Sequence, residues 1–114
     1  MSDLKKSTIN IEVHTNENNV SEKMKWSAPE GGVEDASAEA MILSLWDKEQ
    51  QTAMRIDLWN KEMTVDEMKK FFHQTLLTMA DTFERATGEK NITEDLRDYC
   101  RHFADKMNIL PPLS

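Results

Sequence analysis

Residues 38–60 read AEAMILSLWDKEQQTAMRIDLWN, and whether they form a helix or a hairpin decides the fold. Ala38, Met41, Ile42 and Leu45 by themselves suit a short helix. A hairpin accounts for both halves at once. With Trp46 set opposite Ala53, Leu45 meets Met54, Leu43 meets Ile56 and Met41 meets Leu58. These six side chains make one continuous apolar face, which is what fixes register in a sheet with a buried side. The other face then carries Ile42, Ser44, Trp46, Ala53, Arg55, Asp57 and Trp59.

Upstream, residues 8–14 alternate, with Ile9, Ile11 and Val13 on one face and Asn10, Glu12 and His14 on the other, the pattern of a half-buried strand. TNENN at 15–19 is turn chemistry, because asparagine bonds its own backbone and tolerates the left-handed region. Residues 20–28 alternate again through Val20, Met24 and Trp26. Pairing Val13 with Val20 brings Ile11 opposite Glu22 and Ile9 opposite Met24, so the apolar rows share a face. Residues 29–36, PEGGVEDA, have the composition of a loop.

Downstream, residues 63–88 read MTVDEMKKFFHQTLLTMADTFERATG. Val65, Met68, Phe72, Leu76, Met79, Phe83 and Ala86 recur in steps of three and four, one face of a helix about 35 Å long. Phe71, Leu77 and Ala80 widen that stripe towards a core. Thr64 and Glu67 have capping-box spacing, and Gly88 suits the left-handed residue that closes a helix. A second helix follows, capped by Asn91 or Thr93, with Leu96, Tyr99, Phe103 and Met107 as its apolar stripe. It should end near Asn108, since Leu110 precedes Pro111 and is pushed out of the helical region.

The chain has 114 residues, the size of a single domain over 1–114, with frayed tails at 1–7 and 111–114. A net charge of −7 argues against nucleic-acid binding, which needs clustered cations to displace counterions. It argues equally against an anionic membrane surface. No stretch approaches the roughly 20 apolar residues of a membrane span, so no membrane insertion is expected. Cys100 is the one cysteine, in keeping with a reducing, cytoplasmic setting.

Reactive chemistry is hard to assemble from these residues. Asp98 and His102 stand four apart on the second helix, yet zinc wants three or four ligands, so a solvated pair is expected and no metal. His73 lies off the long helix's stripe without an acidic partner three or four residues away, which suits a flank or core-edge histidine. Cys100 reads as a buried or half-buried structural cysteine. No nucleophile elbow or phosphate-binding glycine loop is present, so no catalytic residue and no cofactor are assigned and the protein is expected not to be an enzyme. The tryptophans carry the functional signal. Ile42, Trp46, Arg55, Asp57 and Trp59 share the face opposite the inferred core, a mix of aromatic anchors and charge that suits a partner surface; the alternative is that a loop or the C-terminal tail covers the rings.

With Trp46-Asp47, RIDLW at 55–59 and residues 63–87 in view, the chain resembles the gliding motility-associated protein GldC family. The resemblance spans residues from Ala38 to the end of the last helix and is strongest in RIDLW and the stretch after it. It implies a cytoplasmic accessory role in the motility apparatus and supplies no catalytic residues.

The expected fold is α+β: a small antiparallel sheet of four strands in two hairpins, packed on one face by two C-terminal helices. The expected function is that of a non-enzymatic cytoplasmic accessory protein of the gliding machinery. It would work through contacts with a motility protein or with a second copy of itself. The alternative is a small ligand-binding domain whose apolar pocket lies between the helices and the sheet, with Met54, Met68 and Met79 adapting to a guest.

Overall fold

The structure is a computed structural model and describes residues 3–109. Of the expected tails, residues 1–2 and 111–114 lie outside the described residues, and 3–7 carry no regular structure. The fold is α+β, with five strands among the described residues rather than four. Strands β1 (Asn10–Thr15), β2 (Ser21–Ala28) and β3 (Val33–Ala38) form an antiparallel sheet in the order β1-β2-β3. Strands β4 (Ala40–Asp47) and β5 (Thr52–Trp59) pair antiparallel in a second sheet. Helices α1 (Val65–Thr87) and α2 (Lys90–Lys106) follow. The chain divides into two compact units, the strands up to Met63 and the helices from Thr64.

In the strand unit, the β4–β5 hairpin has the register that the apolar pattern requires. Trp46 pairs with Ala53, Leu45 with Met54, Leu43 with Ile56 and Met41 with Leu58. The reading of 38–46 as helix is thereby excluded. The first hairpin is slipped by four residues from the expected register: Val13 meets Met24 and Ile11 meets Trp26. The slip is even, so every side chain keeps its face. Its cause is the turn. Asn16 Oδ1 accepts from the amides of Asn18 (2.8 Å) and Val20 (3.1 Å). Asn19 takes a left-handed φ of 61°. The turn thus absorbs residues that a tighter hairpin would have placed in the ladder.

Strand β3 replaces half of the expected loop at 29–36. Trp26 pairs with Ala36 but Ala28 pairs with Val33, so β3 carries one extra residue against β2. Asp35 sits there at φ 48° and donates its amide to Ser27 Oγ at 3.0 Å. A bulge of this kind breaks the period-two pattern, and the acidic, glycine-flanked composition completes the disguise. Ile11, Trp26 and Ala36 line up across the sheet, as do Val13, Met24 and Ala38, and Met24 is fully buried.

Asn60, just past β5, ties the ends of these strands together. Its amide donates to Glu39 O at 2.8 Å, and its Nδ2 to Ala38 O at 3.1 Å. The Ser21 hydroxyl donates to its Oδ1 at 2.8 Å, and the Lys61 amide donates to Ser21 O at 2.9 Å. One side chain, just past the end of β5, thus joins the start of β2 to the end of β3.

In the helical unit, the caps of α1 are those expected. Thr64 Oγ1 accepts from the Glu67 amide at 3.1 Å while Glu67 Oε1 accepts from the Thr64 amide at 3.1 Å. Gly88 closes the helix at φ 72°. That tight closure starts α2 earlier than expected, with Glu89 in the capping position and no side-chain cap. Neither Asn91 nor Thr93 is the cap. Thr93 is instead buried, its hydroxyl donating to Glu89 O at 2.7 Å. Helix α2 ends at Lys106 with Met107 as its cap, two residues short of the expected Asn108.

The buried line of α1 is also not the expected one. His73 and Ala80 are its buried residues, and Leu77 between them is half-buried, whereas Val65, Phe72, Met79 and Phe83 are exposed. One residue along a helix is a turn of about 100°, so this seam lies a quarter-turn round from the stripe. The α2 side of the unit buries Thr93 and Cys100 and half-buries Leu96, Arg97, Phe103 and Ala104. Arg97 fastens the two helices. Its guanidinium reaches Asp81 and Glu84 at 2.9 Å and Glu94 at 2.8 Å, and these carboxylates hold its pKa above the usual arginine value.

Candidate functional site

Strand alternation sets the geometry of the candidate surface. In the β4–β5 ladder, Ile42 stands opposite Asp57, Arg55 opposite Ser44, Trp46 opposite Ala53 and Trp59 opposite Ala40. All five predicted residues therefore share one face of the hairpin. Trp46 and Trp59 mark its two ends, six residues apart once Trp46 is projected onto its partner Ala53, or about 20 Å of strand. Between them the Arg55 Nε lies 3.0 Å from Asp57 Oδ2. This ion pair is exposed, so it contributes little to stability. The rings are 64% and 57% exposed, and Ile42 is exposed with them.

The other face of the hairpin is open as well. Leu45, Met54 and Ile56, expected in a core, are exposed large apolar side chains, while Met41, Leu43 and Leu58 are half-buried.

Residues 21–109 match the family model described as "Gliding motility-associated protein GldC-like". The chain belongs to this family. The match takes in every residue of the β4–β5 face and both helices. Comparison with curated proteins and with solved structures gives no match.

In this GldC-like chain the histidines and the cysteine take varied positions. Asp98 is engaged by Arg101, while His102 turns its ring towards Tyr99, with centroids 5.9 Å apart. Among the described residues no group of three potential ligands could hold a metal ion. Cys100 is free and buried, and burial pushes its thiol above the ordinary cysteine pKa, leaving it a poor nucleophile. His14 lies 3.8 Å from Glu12 on an exposed strand face.

His73 sits at the core edge, as its place off the apolar stripe suggests, but the cleft that it lines is not foreseen in the sequence. His73 is only 7% exposed, stacked on Phe103 with centroids 6.2 Å apart and planes 9° from parallel. It lines an open cleft of about 980 Å³ within the helical unit. Met68 and Met79, two of the methionines expected to line a pocket, are not among the cleft's residues, and neither is Met54. The missed signal was the run Lys69, Lys70, His73, Gln74, Leu77, which recurs at three- and four-residue steps beside the more obvious apolar stripe.

Proposed function

We propose that the chain is a non-enzymatic, cytoplasmic accessory protein of the gliding motility machinery, acting by contact with another protein of that machinery. The observation that carries this reading is the exposed face of the β4–β5 hairpin, with indoles at both ends and a charged pair between. Tryptophan is enriched among residues that dominate binding energy, and a polar centre flanked by apolar anchors supplies orientation. Family membership supplies the setting, a motility apparatus.

The test replaces Trp46 and Trp59 together with Ser in a gliding cell. The double variant should fold, with the circular dichroism and melting profile of the parent, and the cells should lose spreading. A photoreactive residue at position 46 should cross-link to a component of the motility machinery. Normal spreading by the folded double variant would overturn the proposal. Cross-linking solely to a second copy of the chain would replace the motility partner with self-association.

A further inference from the structure

We propose that the cleft of the helical unit binds an amphiphilic monocarboxylate, a medium-chain fatty-acid anion, with its headgroup on His73, Lys69 and Lys70 and its chain along Leu77, Met107 and Ile109. All six residues line the cleft. Its volume of about 980 Å³ is at the upper end of small-molecule sites, about 300–1,000 Å³.

The headgroup end rests on two observations. First, the ring of the nearly buried His73 makes no hydrogen bond to another described residue. No fully buried side-chain nitrogen or oxygen lacks a partner among them either. The unpaired ring nitrogens are therefore not sealed in the core but keep some solvent access, on a ring that lines the cleft. A polar atom held there by stacking on Phe103, with no protein partner, is provision for a ligand atom or water. Second, Lys69 and Lys70 stand one turn before His73 on the same helix. Neither ammonium has a carboxylate within 4.0 Å among the described residues, in a chain of net charge −7.

Charge and wall chemistry narrow the ligand further. Two lysines against the single carboxylate Asp66 leave the cleft lining with one net positive charge, which suits a monoanion better than a phosphate dianion. A peptide fits poorly. The α1 wall spends its backbone groups on its own helix, and the amides of Met107, Asn108 and Ile109 already donate to Phe103, Asp105 and Ala104. A peptide's own amides would thus find few acceptors or donors, whereas an acyl chain asks for none.

The experiment titrates the full-length chain with decanoate, decanol and acetate, following the ring signals of His73 and the methyl signals of Leu77 and Met107 by NMR. Decanoate should bind saturably with a Kd below about 1 mM and shift all three sets of signals. Lys69→Gln with Lys70→Gln should weaken it by roughly tenfold or more while keeping the parent's melting profile. His73→Gln should do the same where its melting profile shows it folded. Decanol binding as tightly as decanoate would remove the headgroup contacts and overturn the proposal. Acetate binding as tightly would remove the apolar wall and overturn it equally. Absence of saturable shifts, or shifts confined to Phe72, Met79 and Phe83, would place no site in the cleft.

Discussion

The Ser21 hydroxyl donates to Asn60 Oδ1 at 2.8 Å, and both residues are buried. They stand 39 residues apart in sequence, so this bond reports that the start of β2 and the end of β5 have come together. Truncating Asn60 to Ala removes the acceptor of Ser21 and the donor to Ala38 O in one step. Leaving buried polar groups unpaired costs about 1–3 kcal/mol, and urea denaturation should show a loss of that size. Asn60→Asp should not rescue it. The carboxylate would accept from Ser21 but has no N–H for Ala38 O, and it would face Glu39 Oε2, now 3.4 Å from the Asn60 amide nitrogen. A loss below about 0.5 kcal/mol for Asn60→Ala would mean that the strand ends are held elsewhere.

Asn60 also marks where sequence reasoning stops. Hairpin β4–β5 was legible because an apolar row on each strand admits one register, and α1 because Thr64, Glu67 and Gly88 announce its ends. Asn60 follows RIDLW as an ordinary polar residue, and nothing local says that Ser21 will meet it. The slip in the first hairpin has a similar origin. Alternation fixes which face Val13 and Met24 share, but a shift by an even number of residues leaves that face unchanged, so only the Asn16 turn decides between registers. On α1 the difficulty was the reverse. Two lines of side chains, Phe72-Met79-Phe83 and His73-Leu77-Ala80, run side by side, and apolarity alone favours the former. Small size at Ala80 and Cys100 is what lets two helices approach, and a hydropathy pattern does not weigh size.

Acid should loosen both units through two glutamates. Glu22 is held below the ordinary glutamate value, about 4.3, by its hydrogen bond to Lys61, then by the Asn16 side chain and the Lys61 charge. Glu67 is lowered first by the Thr64 backbone amide and then by the Thr64 hydroxyl. A carboxyl with a depressed folded pKa contributes stability that is present above its unfolded pKa and is lost as pH falls through the folded one. Melting temperature should therefore decline as pH falls below about 4.3. Glu22→Gln and Glu67→Gln should each flatten that decline. An unchanged pH profile in the double variant would assign the acid sensitivity to other groups.

Gly88 sits at φ 72° with nothing within 4 Å of where a Cβ would lie. Substitution there meets no clash, only the backbone strain of a left-handed residue. Gly88→Ala should cost about 1 kcal/mol, and Gly88→Asn less, since asparagine tolerates this region. The pair separates strain from packing. If Asn costs as much as Ala in thermal denaturation, the helix end does not depend on the left-handed closure.

The final prediction sets Ala80 against Phe72, which the apolar pattern places on one broad face and the structure separates. Ala80 is wholly buried on the seam of the helical unit, while the Phe72 ring is 43% exposed and meets Phe71 edge-on, with centroids 6.2 Å apart. Ala80→Leu adds volume where none is free, so it should destabilise by about 1–3 kcal/mol through displaced neighbours. Phe72→Ala would cost about 3–5 kcal/mol in a full core. With nearly half its surface already in water, the ring has less burial to lose, and about 1–2 kcal/mol is expected. The ordering is the test, because it inverts the usual rule that removing an aromatic ring is worse than enlarging an alanine. Urea denaturation of the two variants should rank Ala80→Leu at least as destabilising as Phe72→Ala. A loss above about 3 kcal/mol for Phe72→Ala, with Ala80→Leu tolerated, would return the core of α1 to its apolar stripe and move the helix seam off His73, Leu77 and Ala80.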